Sequence, residues 1–448
     1  MAGLEISMKI LCLIPPHVPS YFNAGHHLGV FMVAAHLRTL GCVTEVHALD
    51  AAALNCTWRD ICRRFATGYD VIVMWNDFDG IDTFERCVHY ARSLAPEARL
   101  VTCGRAGMHR PRLFERLGFD AVARGGDPEL AVASYVSCLS SGEIGGVGVS
   151  LRGEDGSYRD GDEPAFLPPE EWVLPDVREI PYEAYDRLYG DDLNKFCGIP
   201  ERRELVVPAA RGCPVGCSFC DVPVQQGARE RRLSVARVIE YIRWARSLRR
   251  FDYVSFYAPT FTLRRGWVED MCDRLRAESP IRWKCVTTLR HLDEALVARI
   301  AAAGCVRVSV GLETMSPRAE TALPLLKRNS DSSLVEIAQA CRDHGVELNC
   351  FIMVGLPGDS PDDARRTITR ARELGARVRP VAYTPYEQMH DEIGIEQFGR
   401  YNRQLFVDPE LPQAERRGYY ELLYSDSDDR ATDVGIRAWE QRLATRGE

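Results

Sequence analysis

Apolar positions in the first third of the chain come in short solid runs, separated by stretches where they recur every three or four residues. Residues 9–14 form such a run, which stops at Pro15-Pro16; residues 43–49, 71–75, 99–103 and 119–123 form others. Runs that are apolar on both faces read as buried strands of a parallel sheet. Residues 28–40, 83–94 and 110–117 between them carry helical periodicity, the first ended by Gly41. Strand–helix alternation predicts a doubly wound, Rossmann-like α/β domain over residues 1–140. Residues 141–203 are rich in Gly, Pro and charge and read as a linker. The alternation then resumes. Strands are expected at 204–210, 252–258, 281–287, 306–312, 347–355 and 376–383, with helices such as 235–247 and 292–303. Six βα units over residues 204–389 predict a partial TIM-type (β/α)6 barrel, with active residues at the carboxyl ends of its strands. Residues 390–448 are polar and partly helical, a C-terminal cap.

Bulk properties narrow the function. The 448 residues are 46% hydrophobic, which suits two globular domains, and 56 basic against 64 acidic residues give a net charge of −8. That balance argues against nucleic acid as a partner. It mildly favours a cationic ligand, although solubility alone accounts for it. The first apolar run is too short for a signal peptide, and no run nears the ~20 residues of a membrane span. The sixteen cysteines lie scattered in apolar segments, which suits buried thiols in a reducing cytoplasm.

Three of the cysteines differ from the rest. The run Arg211-Gly212-Cys213-Pro-Val-Gly-Cys217-Ser-Phe-Cys220 directly follows the first barrel strand. Three thiolates in one loop can hold three irons of a cubane and leave the fourth open. Zinc is the competing reading, but it wants four ligands and paired Cys-x2-Cys halves.

This spacing, the aromatic Phe219 before the last cysteine, and the position after a first barrel strand resemble the radical S-adenosylmethionine (SAM) superfamily. The resemblance implies a 4Fe-4S cluster on Cys213, Cys217 and Cys220. It further implies that SAM chelates the open iron and is cleaved to a 5′-deoxyadenosyl radical, which takes hydrogen from a small-molecule substrate, with a reducing electron donor, flavodoxin-type or similar. The segment Val308-Ser309-Val310-Gly311-Leu312-Glu313 looks like the family's fourth-strand segment, which puts Ser309, Gly311 and Glu313 near SAM. Phe351-Ile352-Met-Val-Gly355-Leu-Pro357-Gly358 looks like the fifth-strand segment, which puts Ile352, Gly355 and Pro357 near adenine. Thr384-Pro385-Tyr386 matches a family turn. Tyr257 and Glu313 are the candidate catalytic residues.

The domain order resembles the subgroup with a cobalamin-binding domain ahead of the barrel, most of whose members are methyltransferases. Three segments depart from it. Where small residues usually admit the nucleotide tail of cobalamin, this chain has Trp75-Asn76-Asp77 and Cys103-Gly104-Arg105-Ala106-Gly107, and Trp75 with Arg105 is expected to fill the space. No Asp-x-His-x2-Gly loop is present, so His17, His26 and His27 are not expected as cobalt ligands. After the second barrel strand, an Asp-Asp pair common in the subgroup is replaced by Tyr257 and Ala258. Cobalamin therefore stays an open question at this level. The chain also resembles the radical diol dehydratases of aminoglycoside biosynthesis. That likeness implies dehydration of a sugar-like natural-product intermediate whose ammonium groups could sit on Glu387, Asp391 and Glu392. The alternative is a cobalamin-dependent methyltransferase of natural-product biosynthesis.

Overall fold

A computed structural model describes residues 7–17, 28–188, 203–401 and 407–425. In Met8–Ile14, residues Ile10 to Leu13 are fully buried, so this strand must be covered on both faces. It pairs in parallel with Val43–Asp50 on one side and Val71–Asn76 on the other, and Arg99–Gly104 and Ala121–Ala123 follow outward. The strand order 2-1-3-4-5 is doubly wound and reverses between the first and third strands. The ligand crevice of such a sheet lies at that switch point, outside the carboxyl ends of the strands.

The structure revises the reading of residues 141–203. Val149–Arg152 and Tyr158–Asp160 form a hairpin that adds two antiparallel strands to the same sheet. Its signal in the sequence is weak because the second strand buries none of its three residues. The structure also adds a helix, Trp58–Phe65, absent from the sequence reading. Only Ile61 and Phe65 are buried in it, but Thr57 and Asp60 form a capping box that marks its start. The helix expected at 110–117 is present as Pro111–Arg116, and a further short helix, Arg105–His109, precedes it. They break at Arg110, whose φ of −143° and ψ of 76° lie outside the helical region that a residue before a proline avoids.

The second sheet holds Glu204–Pro208, Tyr253–Tyr257, Arg282–Thr287, Cys305–Glu313, Glu347–Val354 and Arg377–Ala382, all parallel and in chain order. Its end strands do not pair with each other, so it is the partial barrel that the spacing predicts. Helices Val235–Leu248, Arg265–Glu278, Glu294–Ala302, Asp331–Asp343 and Pro361–Glu373 lie between the strands. The described C-terminal elements pack on both domains. Phe398 of helix Ile395–Gly399 stacks on Phe78 of the N-terminal domain at 4.8 Å, and helix Gln413–Ser425 lies against Pro361–Glu373. No helix among the described residues is long and apolar enough to cross a membrane, and no disulfide joins the described cysteines.

Candidate active site

The first barrel strand runs into a short ladder, Ala210–Arg211 against Arg231–Arg232. Gly212 follows with φ +80°, and a β-carbon there would collide with the carbonyl of Arg229. Only glycine fits, and it turns the chain into the cysteine loop. Exposure then alternates: Val215, Cys217 and Phe219 are buried, while Pro214, Gly216 and Ser218 face solvent. The buried set forms an apolar cluster with Ala319, Leu323, Met353 and Leu356, against which Cys213 and Cys220 also pack. All three thiols line one cavity of about 570 Å³ between the two domains. Cys213 Sγ lies 3.6 Å from the Thr260 hydroxyl, and burial pushes the Cys217 thiol up to about 12. Among the described residues, no three His, Cys, Asp or Glu side chains close on one ion. A cubane asks for something else, three thiolates spaced around a volume with one iron each, and the donor set fits that demand.

The fourth barrel strand supplies the opposite wall. A bulge after Gly311 breaks its pairing, and Glu313 ends it at φ +62°, a left-handed conformation unusual for glutamate. Strain of this kind collects where a side chain must be aimed. Glu313 Oε1 accepts from Lys327 Nζ at 2.8 Å, and both side chains are nearly buried. A β-carbon at Gly311 would collide with both charged groups, so glycine there makes room for the pair. Lys327 is absent from the sequence reading. Its ammonium stays protonated against burial because Glu313 and, more weakly, Cys217 and Cys220 favour the charged form.

The structure sorts the other candidates. Phe219, Gly311, Glu313 and Tyr257 line the cavity, and Tyr257 is 39% exposed into it. Ser309, Ile352, Gly355 and Pro357 do not. Ser309 accepts from the Asn349 side-chain amide at 3.2 Å. Ile352 is fully buried in the core, and its strand neighbours Phe351 and Met353 face the cavity instead. Gly355 and Pro357 belong to the loop beyond the strand, Gly355 at φ +83° and Pro357 exposed. The acidic segment does not reach the site either: Glu387 accepts from Tyr383 and Asp391 pairs with Arg112.

The N-terminal domain closes the cavity from the other side. Trp75, at the switch point, presses its indole onto Gly29, where any β-carbon would collide with the ring. Asn76 and Thr102 are fully buried and hydrogen-bonded to each other, and Asn76 accepts from the Gly107 amide. Arg105 donates to Asp77 at 2.9 Å and reaches across to Asp221, next to Cys220, at 3.4 Å. Burial opposes its charge, but the two carboxylates outweigh this and hold the guanidinium protonated. Of the histidines considered as cobalt ligands, His17 bonds the Pro15 carbonyl at 2.9 Å, whereas His26 and His27 lie outside the described residues. A second tie holds the other flank of the loop. Arg211 bonds Glu129 at 2.6 Å and Asp127 at 3.2 Å, and its guanidinium lies 4.4 Å from the centre of the Trp172 ring.

Comparison with known proteins agrees with this geometry. The family model of the Radical SAM superfamily matches residues 207–371. An uncharacterized methyltransferase of Pyrococcus horikoshii is 28% identical over 388 residues, which span 82% of this chain and 78% of that one. The anaerobic magnesium-protoporphyrin IX monomethyl ester cyclase of Rubrivivax gelatinosus is 24% identical over 89% of this chain and 74% of its own. Among solved structures, the radical SAM methyltransferase TsrM of Kitasatospora setae, with cobalamin and a [4Fe-4S] cluster bound, superposes with a TM-score of 0.69. It covers 94% of this chain and 85% of its own at 18% identity. The cobalamin-dependent enzyme OxsB gives a TM-score of 0.64 at 14% identity, over 96% of this chain and 56% of its own. At these identities the structural likeness is one of fold. The domain match at 207–371 takes in the three cysteines and most of the strands that build the cavity around them, so this region of the chain is similar to the radical SAM domain.

Proposed function

We propose that the protein is a SAM-dependent radical enzyme acting on a small molecule held between its two domains. The observation that carries this is the meeting of Cys213, Cys217, Cys220, Gly311 and Glu313 on one cavity wall system. A 4Fe-4S cluster on the three thiolates supplies, when bound, the electron that cleaves a sulfur–carbon bond of SAM. The chain's own residues do the rest. Glu313 and Lys327 offer a carboxylate and an ammonium that would hold the charged amino-acid end of SAM. Phe351 and Met353 offer an apolar wall, and Tyr257 brings a hydroxyl to the space left for substrate.

The relatives favour methyl transfer as the reaction. They lend no support to sugar dehydration or to antibiotic biosynthesis. One observation favours a second reading, hydrogen abstraction without cobalamin. Trp75 seated on Gly29, Asn76 and Thr102 sealed, and Arg105 tied to Asp77 and Asp221 narrow the space that the nucleotide tail of cobalamin would need at the switch point. Product analysis separates the two readings. S-adenosylhomocysteine with a methylated product supports the first; 5′-deoxyadenosine alone, with no hydroxocobalamin retained on dialysis, supports the second. Cys213→Ala, Cys217→Ala and Cys220→Ala should each lose iron and SAM cleavage. A variant that keeps four irons and full cleavage refutes the assignment.

A further inference from the structure

Radical chemistry of this kind consumes one electron at each reductive cleavage, and a carrier must approach the cysteines to deliver it. This inference rests on the proposed function. The segment from Ala319 to Arg328 packs through Ala319 and Leu323 against the cysteine loop. Leu323 is 2% exposed and belongs to the apolar cluster that holds Cys217. Two residues on, the 3-10 turn Leu325–Lys327 begins. Such a turn repeats every three residues, so positions two apart point in different directions. Lys327 points inward to Glu313, and Leu325 points outward. Among the large apolar side chains described, Leu325 is the most exposed, at 71%, and Leu326 beside it stands at 46%.

The charge around these leucines is positive. Arg328 bonds the carbonyls of Leu323 and Thr321, and Arg290 bonds the carbonyl of Arg328. Among the described residues no carboxylate pairs with either guanidinium. Arg318, 78% exposed, is paired with Asp363 at 3.5 Å, and Glu320 is the single acid of residues 319–328. A net charge of −8 makes the rest of the molecule repel an acidic partner, so a basic patch with an apolar centre marks where one can land.

We infer that Leu325 and Leu326, ringed by Arg290, Arg318 and Arg328, form the docking site of an acidic, flavodoxin-type electron-carrier protein. One electron passes from the reduced flavin to the iron held by the cysteines, and the flavin is oxidised by one electron. The carrier's acidic rim meets the arginines and an apolar spot on it covers the leucines.

The test uses the full-length protein with its cluster reconstituted, reduced either by flavodoxin hydroquinone or by dithionite, and reads 5′-deoxyadenosine or another SAM cleavage product. Leu325→Glu and Arg290→Glu should each lower the flavodoxin-supported rate by about tenfold or more, and added salt should lower the wild-type rate, because steered association is worth roughly 10–10³ in rate. Dithionite-supported rates should stay at the wild-type level. If Leu325→Glu lowers both rates, Arg290→Glu decides, since it alters a surface cation and no apolar packing. Equal flavodoxin-supported rates in wild type and Arg290→Glu overturn the inference. So does a wild-type dimer that these variants dissociate, which makes the patch a self-interface. Wild-type protein inactive with both reductants refutes the radical SAM reading itself.

Discussion

At the scale of single residues, the site turns on a strained glutamate and the glycine beside it. Glu313 holds a left-handed backbone to bring its carboxylate to Lys327, and Gly311 leaves the space in which they meet. The atoms that a methyl group at residue 311 would strike are ends of flexible side chains, which can move aside. Gly311→Ala should therefore fold normally and displace the pair. Its affinity for SAM should fall, as should that of Glu313→Gln, each by about 1.5–3 kcal/mol, the worth of a hydrogen bond to a charged group. Isothermal titration of cluster-loaded protein measures this, with iron content as the control. Unchanged affinity in both variants would make the pair a structural ion pair and nothing more.

At the scale of elements, the loop after the fifth barrel strand carries the next expectation. Asp359 precedes the N-cap of helix Pro361–Glu373, and its carboxylate oxygens make no hydrogen bond of good geometry, with only the Ser360 and Gly355 amides beside them. Burial pushes its pKa up to about 7 from the usual 3.8, Asp363 adds like charge, and the amides of Ser360 and Gly355 pull it back only in part. The folded chain thus prefers the protonated form more than the unfolded chain does. Its contribution is complete below 3.8, is lost as pH rises toward about 7, and is flat above that. Asp359→Asn should leave stability nearly unchanged at pH 4 and raise it at pH 8. Urea midpoints of the two proteins at both values decide the matter. The same strand shows where reading the sequence stops. The cysteine loop was legible because its chemistry is written in spacing. The fifth strand was legible as a strand, yet Ile352 turned out to face the core, and Phe351 and Met353 the cavity. Parity along a strand inverts with a one-residue error in register, and the bulge at the neighbouring strand lies where that register is set. Lys327 left no trace in the pattern, since irregular chain brings it back to Glu313. The hairpin in residues 149–160 hid for want of apolar alternation.

At the scale of the whole molecule, the two domains share buried charge. Arg211 is 11% exposed, and its loss would strand Glu129, which has no other ion-pair partner among the described residues. Asp127 would keep Arg231 at 2.5 Å. Breaking a buried pair from one side costs about 3–5 kcal/mol, while replacing both partners by apolar groups can be neutral. Arg211→Met should therefore lower the unfolding temperature and the iron bound per chain, because residue 211 lies two positions before Cys213. The double variant Arg211→Met, Glu129→Leu should recover most of the stability. A single variant as stable and as iron-rich as wild type would mean that this pairing does not hold the loop.

The ties on either side of the cysteine loop bear on how such a protein can be inherited. Arg211 is answered by Asp127 and Glu129, and Asp221 by Arg105; in both cases the answering residues lie in the other domain. A barrel transplanted onto a foreign N-terminal module would arrive with a cation and an anion facing nothing. Recombination at the domain boundary would leave a chain able to fold each half and unable to seat the loop between them. The pair must be exchanged whole, or the new neighbour must already carry matching charges at both places.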